Sequence, residues 1–154
     1  SRKYCRLQIL DLRLKKTRNR NKSNLNLPIS IRRTESMNQE QMRNRTKEFA
    51  KQIISLCRQL PENREGRLIG NQIFRSGTSV GSNYRAVCRA RSKADFIAKI
   101  GLVLEEETDE TLYWLELIDE TKIMKNGVLK GLIVEANELV AIFVSTVNKA
   151  RIRK

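Results

Sequence analysis

Gln72-Ile73-Phe74-Arg75-Ser76-Gly77-Thr78-Ser79-Val80-Gly81-Ser82-Asn83-Tyr84-Arg85-Ala86 is the stretch on which the fold turns. Six of the seven residues from Ser76 to Ser82 are small. As a loop, this would be a flexible linker dividing the chain. As a helix, it is a close-packing face, because Gly77 and Gly81 lie four apart and fall on one side. Each glycine costs about 1 kcal/mol relative to alanine inside a helix, so a close neighbour must offset them. Upstream, Leu68, Ile69, Gln72 and Ile73 fit an inward face. Downstream the pattern resumes through Tyr84, Val87 and Cys88. The expectation is a helix, kinked or straight, that starts near Asn63–Glu65.

Three more helices flank it. Phe49, Ile53, Leu56, Cys57 and Leu60 recur at the spacing of one helical face, which predicts a helix from about Asn38 to Leu60. Pro61 stops it, since the proline ring biases the preceding residue to extended geometry. A third helix opens at Ser92, with Asp95 three residues on in the manner of a capping box. Phe96, Ile100, Val103, Leu104, Thr111, Leu115 and Ile118 carry its near-heptad stripe. Lys125-Asn126-Gly127 is the expected stop, with Gly or Asn taking the left-handed cap. The fourth helix runs from about Leu129 toward Ile152, with Leu132, Ile133, Ala136, Leu139, Val140, Phe143 and Val147 on one face. Short connections between long amphipathic helices predict an all-α, antiparallel up-down-up-down four-helix bundle over residues 37–154.

The chain has 154 residues, is 40% hydrophobic and only 5% aromatic, with two prolines, a balance that favours helices over a β-sandwich. No apolar run approaches the roughly 20 residues of a membrane span, so a soluble protein without a membrane partner is expected. Histidine is absent, which removes Ser-His-Asp and Cys-His nucleophiles, imidazole metal ligands and the Glu-x-x-His motif of di-iron bundles. Cys5, Cys57 and Cys88 are far apart and form no Cys-x-x-Cys pair, so neither a disulfide framework nor a zinc site is suggested. A reducing cytoplasm is the simplest location.

Charge is the other bound. The net is +14, and residues 1–36 carry eleven basic side chains against two acidic ones. That Asn-rich basic segment reads as an extension that packs poorly. It could be an RNA-grasping or membrane-surface arm, a transit peptide, or translated sequence upstream of a start at Met37. Arg43, Arg45 and Lys47 gather on the first helix, and Arg85, Arg89, Arg91 and Lys93 surround the end of the second. One such cluster alone reads as a solvated face; together they point to a phosphate-binding surface. No nucleic-acid-reading aromatics or recognition helix accompany them, so binding is expected to follow the backbone and to be salt-sensitive.

The segment quoted above is followed by Arg91-Ser92-Lys93-Ala94-Asp95-Phe96. Then comes Leu104-Glu105-Glu106-Glu107-Thr108-Asp109-Glu110-Thr111-Leu112-Tyr113-Trp114-Leu115. In these motifs the chain resembles the four-helix bundle proteins first known from intervening sequences in bacterial 23S rRNA genes, over roughly Arg45 to Val147. The resemblance implies a homopentamer with a basic surface. It also implies kinship with the accessory protein of diversity-generating retroelements, which binds a reverse transcriptase and nucleic acid. The chain departs from the commonest family pattern at Tyr84-Arg85-Ala86, where alanine stands in place of an acid.

The acidic run offers the one catalytic alternative. Glu106 and Glu110, four apart, share a helix face and could serve as acid and base or grip a metal. The competing reading is structural: Arg75, Ser79 and Asn83 of the second helix face Glu106 and Glu110 in a polar network. A buried carboxylate needs such partners, since leaving it unpaired costs several kcal/mol. The structural reading is preferred, with no catalytic residue, metal or cofactor. Ile97, Leu102, Trp114, Leu117, Ile142 and Val144 fall off the main apolar faces, which predicts self-association.

Overall fold

The computed structural model describes residues 38–124 and 127–152, and the regular structure within them is entirely helical. Helix α1 spans Gln39–Cys57, α2 Arg64–Val87, α3 Lys93–Leu102, α4 Asp109–Thr121 and α5 Gly127–Ile152. Between α3 and α4 the backbone stays helical but widens into a π-helix over Val103–Thr108. These three segments form one continuous rod, so the described residues make four rods. The readings of residues 1–36 fall outside the described residues.

α1 begins with a reciprocal cap. Asn38 Oδ1 accepts the Gln41 backbone N–H at 2.8 Å, and the Gln41 side chain accepts the Asn38 N–H at 2.8 Å. Two otherwise orphaned donors are thereby satisfied. The regular helix ends at Cys57, three residues short of the expected Leu60. Beyond it, Gln59 N–H bonds to Leu56 O and Leu60 N–H to Cys57 O, a tighter winding that leads into Pro61.

The small-residue stretch is uninterrupted helix in the middle of α2. A Cβ on Gly77 would lie 2.7 Å from Ile53 Cγ2, and one on Gly81 would lie 3.1 Å from the Thr46 carbonyl. The absent side chains therefore let α1 close against α2, and that contact offsets the glycines' helix cost. Gln39 Nε2 donates to Cys88 O at one end, and Cys57 Sγ reaches Gly70 O at the other, so α1 and α2 run in opposite directions. Two expected inward residues of α2 differ: Leu68 is 57% exposed and Gln72 is also exposed. The buried face is Ile73, Ser76, Gly77, Val80 and Gly81, which leaves Leu68 and Gln72 one step around the helix.

The end of α4 also departs from expectation. The helix stops at Thr121, and Lys122, at φ 57°, is the left-handed residue. Gly127 instead opens α5 without a positive φ. Lys125 and Asn126 lie outside the described residues.

The core is one cluster that all four rods supply, including Phe49, Ile53, Ile73, Val80, Leu115 and Phe143. Leu104 and Val140 pack at its margin, partly buried. Each large apolar side chain buried contributes about 1.5–3 kcal/mol, so this cluster is the main source of stability. No helix among the described residues is long and apolar enough to cross a membrane.

Candidate nucleic-acid interface

Among the described residues, a cluster of exposed basic side chains forms where α2 hands over to α3. Helical winding tightens after Val87: Cys88 N–H bonds to Tyr84 O, Arg89 N–H to Ala86 O and Ala90 N–H to Val87 O. Ser92 then adopts extended geometry and its side chain accepts the Asp95 N–H at 3.1 Å, which starts α3. Asp95 closes the turn from the other side. Its Oδ2 accepts the Arg91 N–H at 2.9 Å and Lys99 Nζ at 2.7 Å. Bonding to Lys99, and then to the Arg91 backbone, holds the Asp95 carboxyl below its usual pKa. The acid thus caps α3 as the Ser92/Asp95 spacing suggested, although it reaches Arg91 rather than the Ser92 amide.

The hydrogen-bonded turn presents Arg85, Arg89, Arg91 and Lys93, all exposed, on one short piece of chain. No described carboxylate lies within ion-pair distance of Arg85, Arg89 or Arg91. An open cleft of about 600 Å³ lies here, lined by Ala86, Arg89, Arg91, Asp95 and Lys99.

The three basic residues of α1 have different surroundings. Lys47 is exposed, and Arg43 is exposed with Glu40 at 3.9 Å. Arg45 is half-buried and committed to α5: it donates to Glu135 at 2.6 and 2.8 Å and also bonds to Glu138. The Glu135 hydrogen bond, outweighing partial burial, raises the Arg45 pKa above its usual value. Arg45 therefore clamps α1 to α5, and its charge is already matched by two carboxylates. The sequence signal for this pairing is the Glu135/Glu138 spacing, which puts two acids on the side of α5 next to buried Ala136 and Leu139.

A polar seam joins α2 to the π-helix. Asn83 Nδ2 donates to Glu107 Oε1 at 2.9 Å, and Arg75 and the Ser79 hydroxyl act on the same carboxylate. Glu107 is half-buried, and desolvation raises its pKa despite the opposing charge of Arg75. The carboxylate facing α2 is thus Glu107, between the two acids the spacing singled out. Glu106 is exposed, and Glu110 accepts Trp114 Nε1 at 3.1 Å within its own helix. The π-helix explains the shift. Its extra residue moves the inward face from Val103 to Thr108, five residues on, and brings Glu107 beside it. Thr108 is fully buried and its Oγ1 donates to Val103 O at 2.7 Å, satisfying a carbonyl of the widened turn. The seven-residue step from Leu104 to Thr111 is the ordinary two-turn repeat, so the sequence carries no sign of the widened turn.

No group of three His, Cys, Asp or Glu side chains among the described residues is placed to hold a metal ion. Of the residues expected off the main apolar faces, Leu102 is exposed, whereas Trp114 and Ile142 are partly buried against the core. The large exposed apolar side chains include Leu68, Phe74, Tyr113 and Val134.

Comparison with known proteins agrees with this architecture. A solved structure from Bacteroides thetaiotaomicron, described as a protein of unknown function from the S23 ribosomal protein family, superposes with a TM-score of 0.65 at 32% identity. The match covers 71% of this chain and 97% of that one. No curated protein matches the chain. A model of the family described as 23S rRNA-intervening sequence protein matches residues 38–145, more than half of the sequence and all of the described helices but the last turns of the fourth rod, and the chain belongs to that family.

Proposed function

We propose that this protein is a non-enzymatic, self-associating bundle that binds RNA, or a ribonucleoprotein, through its basic surface in the cytoplasm. The observation that carries the reading is the α2–α3 turn, where Arg85 and Arg89 stand exposed without an ion pair to a described acid and Arg91 is touched only by the charge of Asp95. Guanidinium groups in that state gain most from phosphate, because no existing ion pair has to break. The lack of histidine supports a binding role. Exposed Leu68, Phe74 and Tyr113 support self-association, with five subunits as the count that the family resemblance implies. The four rods alternate in direction in this reading. The connections at 58–63, 88–92 and 122–126 are each too short to span a rod length, and α1 and α2 already oppose one another.

The test is filter binding of purified protein to rRNA fragments across a salt series. Affinity is expected to fall linearly on a log–log plot, and Arg85→Ala plus Arg89→Ala is expected to weaken binding and flatten the slope by about 2. A salt-independent affinity rejects the reading. The exposed aromatic side chains favour a second reading, an accessory subunit of a diversity-generating retroelement that docks onto a reverse transcriptase. Gene neighbourhood separates the two: an rRNA operon fits the first, and an adjacent reverse transcriptase with repeats fits the second.

A further inference from the structure

The cleft at the α2–α3 turn brings several basic side chains to one concavity. On α1, by contrast, Lys47 is exposed and Arg45 is matched by Glu135 and Glu138. In the cleft three cations, Arg89, Arg91 and Lys99, converge with a single carboxylate, Asp95. The carboxylate is already occupied by Lys99 Nζ and the Arg91 N–H. It therefore fixes one wall of the cleft and leaves a net charge of +2 in it. The ends of α2 and α3 that meet there carry opposite partial charges, so the side chains decide the sign of the field. Ala86 lines the cleft with only a methyl group. The cleft is open to solvent, a shape that suits a phosphate group on an extended strand better than an enclosed small molecule.

We infer that this cleft is a discrete phosphate seat, in which Arg89 and Arg91 grip a backbone phosphate of a nucleic-acid strand while Asp95 holds Lys99 and the Arg91 backbone in place. Planar guanidinium forks suit the tetrahedral oxygens of phosphate, and a +2 cleft balances a dianion or two adjacent diesters. The inference rests on the RNA-binding reading and sharpens it, because one position on the surface then contributes more than its share.

Ala86 provides the test. Ala86→Glu places a carboxylate in the cleft without removing any cation, and Ala86→Gln adds the same bulk without charge. Both residues favour helix, so α2 tolerates them. Two probes are used on the full chain: a labelled single-stranded RNA with a 5′-hydroxyl, followed by anisotropy, and inorganic phosphate, followed by the arginine Nε–H resonances. Ala86→Glu is expected to weaken RNA binding by about tenfold or more, the scale of one charge-assisted contact, and Ala86→Gln by less than about threefold. Inorganic phosphate is expected to move the Arg89 and Arg91 resonances in the parent and in Ala86→Gln, but not in Ala86→Glu. If both variants bind RNA equally well, or phosphate moves all surface arginines alike, the seat is overturned while RNA binding stands. If the parent ignores RNA yet phosphate still moves Arg89 and Arg91, the RNA reading and the strand as occupant both fall, and only the phosphate-binding geometry stands.

Discussion

At the scale of single residues, Glu107 is the most informative side chain. It is an acid drawn partly out of water, and burial lifts its pKa more than Arg75 and Ser79 lower it. The folded state then binds the Glu107 proton more readily than the unfolded state does, so this group's contribution to stability falls as pH rises through the carboxylate range. Glu107→Gln keeps an acceptor for Asn83 and removes the desolvated charge. The expected outcome is a higher Tm than the parent at pH 7, with the difference shrinking toward zero as pH drops below the carboxylate range. A thermal melt series against pH checks it, and a constant difference would mean that the charge is not the cause. Cys57 is similarly set by burial, which pushes its thiol up to about 11, far from a reactive thiolate at neutral pH.

At the scale of elements, the contact between α1 and α2 depends on missing atoms. Gly77→Ala gains about 1 kcal/mol of helix propensity but drives a methyl group into Ile53, which is fully buried and has nowhere to yield. Overpacking costs about 1–3 kcal/mol, so a net loss of stability is expected in chemical denaturation. Gly131→Ala is the counterpart: at this exposed position on α5 an added Cβ meets nothing within 4 Å, and a gain of about 0.5–1 kcal/mol is expected. Equal effects at both sites would remove the packing account. The helices were legible because their faces repeat. Phe49, Ile53 and Leu56, or Leu132, Leu139 and Phe143, record burial directly in their spacing, and Asn63 and Ser92 cap where side-chain chemistry says they should. Two features were not legible for physical reasons. Lys122 occupies a conformation that glycine adopts more cheaply, so nothing in its identity marks the helix end. The π-helix repositions Glu107 through backbone winding, and an acid inside a run of acids carries no sign of which one turns inward.

At the scale of the whole molecule, the charge and the apolar surface have separate roles. The basic residues read from sequence as one class divide in three dimensions: Arg45 is spent on holding α5, while Arg85, Arg89 and Arg91 remain outward. Sequence could count those cations but not sort them, because the sorting depends on Glu135 and Glu138, some ninety residues away from Arg45. Phe74 and Tyr113 are 46% and 56% exposed in the single chain, a degree unusual for aromatic side chains that could have turned inward. Replacing both with glutamate is expected to shift sedimentation toward the monomer without lowering helix content by circular dichroism. An unchanged sedimentation coefficient would place the association surface elsewhere.

The widened turn at Val103–Thr108 also governs how the chain can change length. A π-turn is a regular helix carrying one surplus residue, so excising Glu106 should let the backbone relax to ordinary winding, with Ile100 and Leu115 still aimed at the interior. Removing Glu116, within the regular part of the same rod, should instead rotate Ile118 out of the core by about 100°. Homologous genes that differ by a single codon in this rod should therefore place the gap at the surplus turn, and a protein lacking Glu106 should melt cooperatively where one lacking Glu116 does not.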